Sequence, residues 1–496
     1  MLTAAIHRCT SELIQGHLPP PCRLLQVGVG SGATLARWVA AGYAATGITP
    51  DAAQLARARA RHGDTLPAVC ARLEDFTGGT GAWDALLFQQ SAQHIAPLDL
   101  FTQADKLLTE RGEIIVLDEF ALRRIAPGPE SLHLLPHFIA LAARFGFAVV
   151  EQLALNPQKD TDGRCGCFLL RLRRLARPRW RVGPIDGGNA AAMRALFADT
   201  FKHTMSETHW NWKYGAGRGH AMGVWREGRL VAHYGGTVRD MLMDGQPIRA
   251  SQMCDVMVDA AERGILSRSG PLFLAAATFV ETYLGYGRPC LLAFGFPNER
   301  AWKTPQRLGI YGGATGRVVE VSWACRRGRP RLGSMVRPLD LTMAAQAAAT
   351  DALWAAMARD LRAAIVGVRN AAWLRYRYLE HPEHDYRLFA VRRRLGGALL
   401  GVFVIRLQGE AWELIDVVTP PGRLAFVVEE ARRLAAAAGI ARLHAWVSDA
   451  ILPHFGAETQ VKELSVIIPA NAWTDGPVPE TLTGRWWLMG GDSDFR

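Results

Sequence analysis

Lysine is scarce in this chain: six among 496 residues, against 51 arginines. The net charge of +11 and the isoelectric point near 9.5 are therefore carried by guanidinium groups spread over the whole length. The densest basic stretches, 164–181 and 326–337, do not interleave aromatics as a base-stacking surface does. That argues against a nucleic-acid binder and leaves the positive charge to attract phosphate-bearing cofactors or anionic substrates. Long apolar runs are also missing, since none reaches the roughly 18 to 20 residues that span a bilayer. The opening MLTAAIHRCTSELIQG has neither the apolar core nor the cleavage site of a secretory signal. The expectation is a cytoplasmic protein that neither enters nor crosses a membrane. The eight cysteines are scattered, and the one close pair, Cys165-Gly-Cys167, has no second pair to complete a metal site. No metal is expected, and the thiols read as reduced.

What is present is a globular composition, 49% apolar and 21% charged, in a chain long enough for about three domains. Strand and helix patterns alternate from about 20 to 172 with the rhythm of a parallel sheet. The Pro, Gly and Arg of 176–189 read as a linker, and 326–338 reads as a second join. The expected division is 1–175, 176–335 and 336–496. The last two parts share a pattern. Thr208-His-Trp-Asn-Trp-Lys-Tyr214 precedes one hairpin-like stretch, and Ala372-Trp-Leu-Arg-Tyr-Arg-Tyr378 precedes another. That spacing favours an internal duplication over two unrelated aromatic-rich helix ends.

In the first part, the strand Arg23-Leu-Leu-Gln-Val27 runs into Gly28-Val-Gly30-Ser-Gly32 and a helix beginning near Ala33. Glycines here let the backbone approach a ligand, and a helix N-terminus favours an anion. The glycines alone do not choose the ligand, because Gly28, Gly30 and Ala33 also satisfy a dinucleotide fingerprint. LLQVGVGSGATL, GITPDAAQ, ARLEDF, WDALLFQQSAQHI and LLTERGEIIVLDEF follow in order. Together they resemble a class I S-adenosylmethionine-dependent methyltransferase over residues 20 to 172. The resemblance implies a Rossmann-like fold, with Gly28, Gly30 and Gly32 around the methionine portion of the cofactor. It also implies Thr49 at the ribose, Glu74 or Asp75 near the adenine, and Gln89 to Ser91 beside the sulfonium. Gln26 and Thr49 stand where acidic residues are usual. Methyl transfer needs in-line placement and, for a protonated acceptor, a base. Asp118, Glu119, His133 and His137 are candidates, the two histidines being expected on one helix face, and His94 is the first choice.

In the second part, a strand over 248–258 leads through Asp259, Arg263, Gly264 and Arg268 into a helix over 272–284. Cys290-Leu-Leu-Ala-Phe294, Asn298-x-x-Ala301 and Leu308-Gly309 follow. This run is similar to the Gcn5-related N-acetyltransferase (GNAT) family. The resemblance implies mixed-sheet α/β domains, with Arg263, Gly264, Arg268 and Asn298 at coenzyme A, the acyl donor being acetyl-CoA. Leu266 and Arg268 depart from the usual glycines, and Pro305 stands where a tyrosine acid is frequent. Tyr311 is the substitute acid and Asp255 the nearest carboxylate for deprotonating an amine. The third part has strand, helix and strand over 412–447 without a Gly/Arg loop, and reads as a structural copy. Asp492 and Asp494 near the end bind a polar acceptor or cation, or else belong to a solvated tail. The expected function is a bifunctional enzyme that methylates and acylates one small-molecule acceptor, such as an amino sugar or natural-product amine. The alternatives are a methyltransferase whose later parts only orient substrate, and a scaffold with both sites dead.

Overall fold

The apolar runs from Arg23 onward form a sheet buried on both faces in the computed structural model, which describes residues 14–122, 132–156, 165–265, 267–326, 331–408 and 411–496. The chain start, Leu266 and part of the second join therefore lie outside the described residues. The chain divides into two compact units, Met1–Gly183 and Pro184–Arg496.

In the first unit β1 (Arg23–Val27), β2 (Ala44–Thr49), β3 (Ala68–Cys70), β4 (Trp83–Gln89) and β5 (Leu108–Ala121) pair in parallel. With β6 (Phe147–Asn156) and the antiparallel β7 (Cys165–Arg174) the order is β3-β2-β1-β4-β5-β7-β6. Leu24, Leu25, Leu86, Leu87, Ile114 and Ile115 are wholly buried, as the centre of a parallel sheet requires. The chain reverses its direction of travel at β1, which opens a crevice at the carboxyl ends of β1 and β4. The shared helix face expected for His133 and His137 does not form: the helix spans Leu135–Arg144, and Pro136 fits its first turn, so His133 precedes it.

The chain enters the second unit through β8 (Arg181–Pro184). One sheet there contains β9 (Gly219–Arg226), β10 (Arg229–Met243), β11 (Gln246–Val258) and β12 (Leu292–Phe294). The other has β14 (Ser334–Pro338), β16 (Tyr386–Arg393), β17 (Leu399–Gln408), β18 (Ala411–Val418) and β19 (Arg442–Ser448). The sheets trade strands. β13 (Tyr311–Ala324) and β20 (Gln460–Asn471) belong to the second, while β15 (Ile365–Gly367) and β21 (Trp486–Trp487) belong to the first.

Each sheet has a three-strand meander, then a helix, then a strand parallel to the last of the three. The helices are Pro271–Tyr283 and Leu424–Ala437, leading to β12 and β19. The two aromatic-basic-Tyr segments meet each other. Trp212 and Tyr376 stack at 5.0 Å, the indole N–H donates to the Tyr376 carbonyl (3.1 Å), and the Tyr376 hydroxyl donates to the Trp212 carbonyl (2.9 Å). Tyr214 donates to Asp255 of β11 as Tyr378 donates to Asp416 of β18.

The tail is not solvated: residues 486–493 are all buried. β18 and β19 pair only at 411–413 with 442–444, and the tail fills the gap beyond. Ser448 donates its N–H to the Leu488 carbonyl (2.9 Å), and Val447 bridges Met489. A Cβ on Gly491 would collide with the Tyr378 hydroxyl, so glycine is needed for the chain to pass. The Arg369 guanidinium, wholly buried, donates to Asp416 (2.8 Å) and to Asp492 of the tail, and Arg239 donates to Asp492 as well (3.2 Å).

His381 packs against His209 at 5.6 Å and His384 at 4.8 Å, and its Nδ1 accepts the N–H groups of Glu383 and His384. Burial, then Arg377, His384 and His209, push it down to about 2. The folded chain thus leaves it neutral, whereas the unfolded chain takes up a proton near pH 6.5. Its contribution to stability is full above about pH 6.5 and declines as pH falls below that. The melting temperature of the second unit is expected to drop from pH 7.5 to pH 5. His381→Asn, which keeps an acceptor but cannot titrate, should make that drop shallower; an unchanged slope in a calorimetric pH series would refute the assignment.

Candidate functional site

The loop after β1 takes its shape from three glycines in the left-handed region: Gly28 (φ 88°), Gly30 (56°) and Gly32 (80°). Their uses differ. A Cβ on Gly28 would press on Ser91 of the next loop, and one on Gly32 would meet Ala58, His62 and Leu66. Gly32 therefore permits helix packing. A Cβ on Gly30 would meet nothing within 4 Å, so this is the glycine that faces open space. Gln26, 2% exposed, donates its amide to the Gly28 carbonyl (3.0 Å), leaving its side-chain oxygen without a partner among the described residues.

Gln89 ends β4, and Gln90 is held at φ 55°, a costly conformation for a side chain of its size. Neighbouring contacts fix it. Ser91 donates its hydroxyl to the Val27 carbonyl (2.6 Å), and the Gln93 N–H donates to Asp118 (3.1 Å). The His133 ring lies 3.0 Å from the Ala92 carbonyl and 2.9 Å from that of Ile95. Burial raises the Asp118 carboxyl, with the backbone donors of Gln93 and Glu119 opposing it. His94 sits exposed at the rim of the same loop. The structure thus gathers Gly28, Gly30, Gln89, Ser91 and His94 around the carboxyl ends of β1 and β4.

The other expected cofactor residues are less committed to that crevice. Thr49 gives its hydroxyl to Gln54 (2.8 Å), and Asp51 caps the helix Ala52–His62. Glu74 has its carbonyl held by Gln103 (2.7 Å) and its carboxylate 3.7 Å from Arg72, and Asp75 is exposed.

In the second unit β11 and β12 pair at only three positions, 250–252 with 292–294. β11 carries a bulge just beyond, between Cys254 and Met257, with Asp255 at φ 50°. Asp255 does not face an open cleft. It accepts from Lys213 (2.9 Å) and from the Tyr214 hydroxyl (2.5 Å), and Lys213 also donates to Asp494 (2.9 Å). Burial alone would raise the Asp255 carboxyl, but the Lys213 charge holds it below its ordinary value, which suits an ion-pair partner and not a proton acceptor. Cys254, Asp255 and Asp494 are close enough together for a metal, but the Lys213 ammonium already supplies the positive charge there.

The helix Pro271–Tyr283 starts at Gly270 with no side-chain cap, leaving backbone N–H groups for an anion. In the loop before it Arg263, Gly264 (φ 94°) and Arg268 are exposed. Arg263 turns back to donate to the Val258 carbonyl (2.9 Å), and Arg268 lies 5.3 Å over Trp473. Asn298 caps its own helix by accepting from the Ala301 N–H (2.9 Å), which accounts for the Asn-x-x-Ala pattern without a ligand. Pro305 is buried inside that helix. Tyr311 shares a 2.9 Å hydrogen bond with Tyr234, and both line a narrow, largely apolar cavity that opens to solvent. Sequence reasoning missed Tyr234 and Lys213, whose partners lie 77 and 42 residues away.

Two family models match: a methyltransferase domain over 25–116 and an acetyltransferase (GNAT) domain over 182–268. The chain is a transferase. It joins a methyltransferase domain to GNAT-like mixed-sheet domains. No curated protein matches it in sequence. Among solved structures, a probable N-acyltransferase of Enterococcus faecalis aligns at TM-score 0.46 and 12% identity, over 59% of this chain and 72% of that one. A Gcn5-related N-acetyltransferase of Anabaena variabilis gives 0.44 and 11% over 60% and 73%. The geranyl diphosphate C-methyltransferase of Streptomyces coelicolor gives 0.31 and 18% over 35% and 84%. At such identities no substrate transfers to this transferase. Among the described residues no helix is long and apolar enough to cross a membrane.

Removing one partner of a buried ion cluster leaves the others uncompensated. Lys213→Met is expected to cost about 3–5 kcal/mol, read as a lowered urea midpoint. Lys213→Met combined with Asp255→Asn should recover part of that loss; equal losses in both variants would show that the cluster is not coupled.

Proposed function

We propose that the chain transfers a methyl group from S-adenosylmethionine in its first unit and an acyl group from acetyl-CoA or another acyl-CoA in residues 176–335. Residues 336–496 serve as a structural copy. The acceptor in this reading is a small amine, with amino sugars and natural-product amines the class to search, and the enzyme works in the cytoplasm.

One observation carries the division of labour. The parting of β11 and β12 leads to a lined cavity, whereas the equivalent parting of β18 and β19 is filled by residues 486–493. In the methyltransferase domain, the open space beside Gly30 and the unpartnered oxygen of Gln26 suit a nucleoside cofactor that brings its own donors. Bound there, S-adenosylmethionine supplies an electrophilic methyl group. The chain's part is to hold the Gln89–Ser91 segment rigid against it and to offer His94 at the rim as a base. On the acyl-transfer side the helix start at Gly270, with Arg263, Gly264 and Arg268 before it, receives the pyrophosphate. Asn298 stands at the next helix start, and Tyr311 donates within the cleft. With Asp255 held in its ion pair, deprotonation of the amine falls to solvent or to the acceptor itself.

The second reading is a methyltransferase whose GNAT-like region only orients substrate. Arg263 folded onto Val258 favours it, because that guanidinium must swing out to meet a phosphate.

Calorimetric titration separates the two. Gly30→Arg should abolish S-adenosylhomocysteine binding, since its side chain fills the open space, and leave acetyl-CoA untouched. Arg263→Ala with Arg268→Ala should weaken acetyl-CoA about tenfold or more and leave S-adenosylhomocysteine untouched. Acetyl-CoA binding that ignores both arginines would move the reading to the second alternative.

A further inference from the structure

The cavity under the helix Pro271–Tyr283 is walled by Met253, Val280, Leu284 and Ile310; its polar side chains are Tyr234, Tyr311 and Asn471, whose amide is already bonded to Thr474 and the Trp473 N–H. Among the described residues no charged side chain lines it. Val280 and Leu284, which line it, lie ten and fourteen residues beyond Gly270 at the helix start, about 15 to 20 Å along the helix axis. That is the reach of a pantetheine arm from a pyrophosphate at the helix start, so the cavity takes the acyl end.

Two phenols that share one hydrogen bond have one proton to spare. Tyr234 is 0% exposed, and Tyr311 is its one hydrogen-bond partner among the described residues. If Tyr311 were the donor, the Tyr234 proton would be buried with no acceptor, at the full cost of an unmade hydrogen bond. The arrangement without that cost has Tyr234 donating to Tyr311. Burial raises both hydroxyls, so both keep their protons.

We propose that Tyr234 is a positioning residue that fixes the Tyr311 hydroxyl with its proton turned into the cavity, where it donates to the thioester carbonyl of a short, uncharged acyl-CoA. The proposal rests on the acyl-transfer reading above. Small size follows from the close apolar walls, and lack of charge from the absence of a cationic lining to neutralise a carboxylate.

The test compares acetyl-CoA with S-ethyl-CoA, which keeps the arm and the two carbons but has no carbonyl, by calorimetry on the full chain. The wild type should prefer acetyl-CoA about fivefold, the worth of one neutral hydrogen bond. Tyr311→Phe and Tyr234→Phe should each lose that preference, and the double variant should lose no more than either. Unchanged S-ethyl-CoA affinity in each variant reports an intact cavity. Succinyl-CoA should bind at least about tenfold more weakly than acetyl-CoA. A preference retained in Tyr234→Phe but lost in Tyr311→Phe would overturn the positioning role. Equal binding of both ligands to the wild type would overturn the donor, and tight succinyl-CoA binding the uncharged acyl class. Binding of neither ligand would instead overturn the acyl-transfer reading itself.

Discussion

Buried charge must be answered by buried charge, and in the second unit the tail supplies the answer. Asp492 reaches Arg369 and Arg239, and Asp494 reaches Lys213, so the tail adds two carboxylates to the Asp416 and Asp255 that already face Arg369 and Lys213, and gives Arg239 its carboxylate partner. The same stretch fills the gap between β18 and β19. Because its carboxylates are spoken for at both ends, the tail cannot leave that gap without taking the carboxylate partner from buried Arg239. The strands exchanged between the sheets follow the same logic, since β21 places the tail beside β15 before it enters the second sheet. What distinguishes the two copies is therefore occupancy of the gap.

The methyltransferase domain depends on a simpler constraint. Parallel strands end together, so the loops after β1 and β4 must meet, and Gly28 against Ser91 is the contact that brings them within reach. The strained Gln90 persists because Ser91, Asp118 and His133 fix the residues around it. A methyl donor needs placement more than chemistry from its enzyme, and a loop fixed at several points gives placement.

Most of the first unit was legible in the sequence because each βα step carries a local signal: an apolar run, a glycine turn, a capped helix. The roles of single residues were less so. Gly32 and Asn298 fit ligand-binding motifs, yet their visible work is helix packing and helix capping, which the same residue types perform. Asp255 was legible as a carboxylate in the right strand, but Lys213 stands 42 positions away and periodicity does not reveal such pairs. The repeat at Trp212 and Tyr376 was legible as a pattern, though not as a contact. The exchange of β13, β15, β20 and β21 left no trace in the sequence, since pairing between distant strands has no local code. The tail read first as a solvated terminus, with a binding role for its carboxylates as the alternative, and its burial decides against solvent.

The central claim is that one chain holds one methyl-donor site and one acyl-donor site. Sedimentation or calorimetric titration of the intact protein with S-adenosylhomocysteine and acetyl-CoA together counts them directly. The account requires one equivalent of each, bound independently. Two equivalents of acetyl-CoA would contradict the filled gap of the second copy, and none would contradict the acyl-donor site.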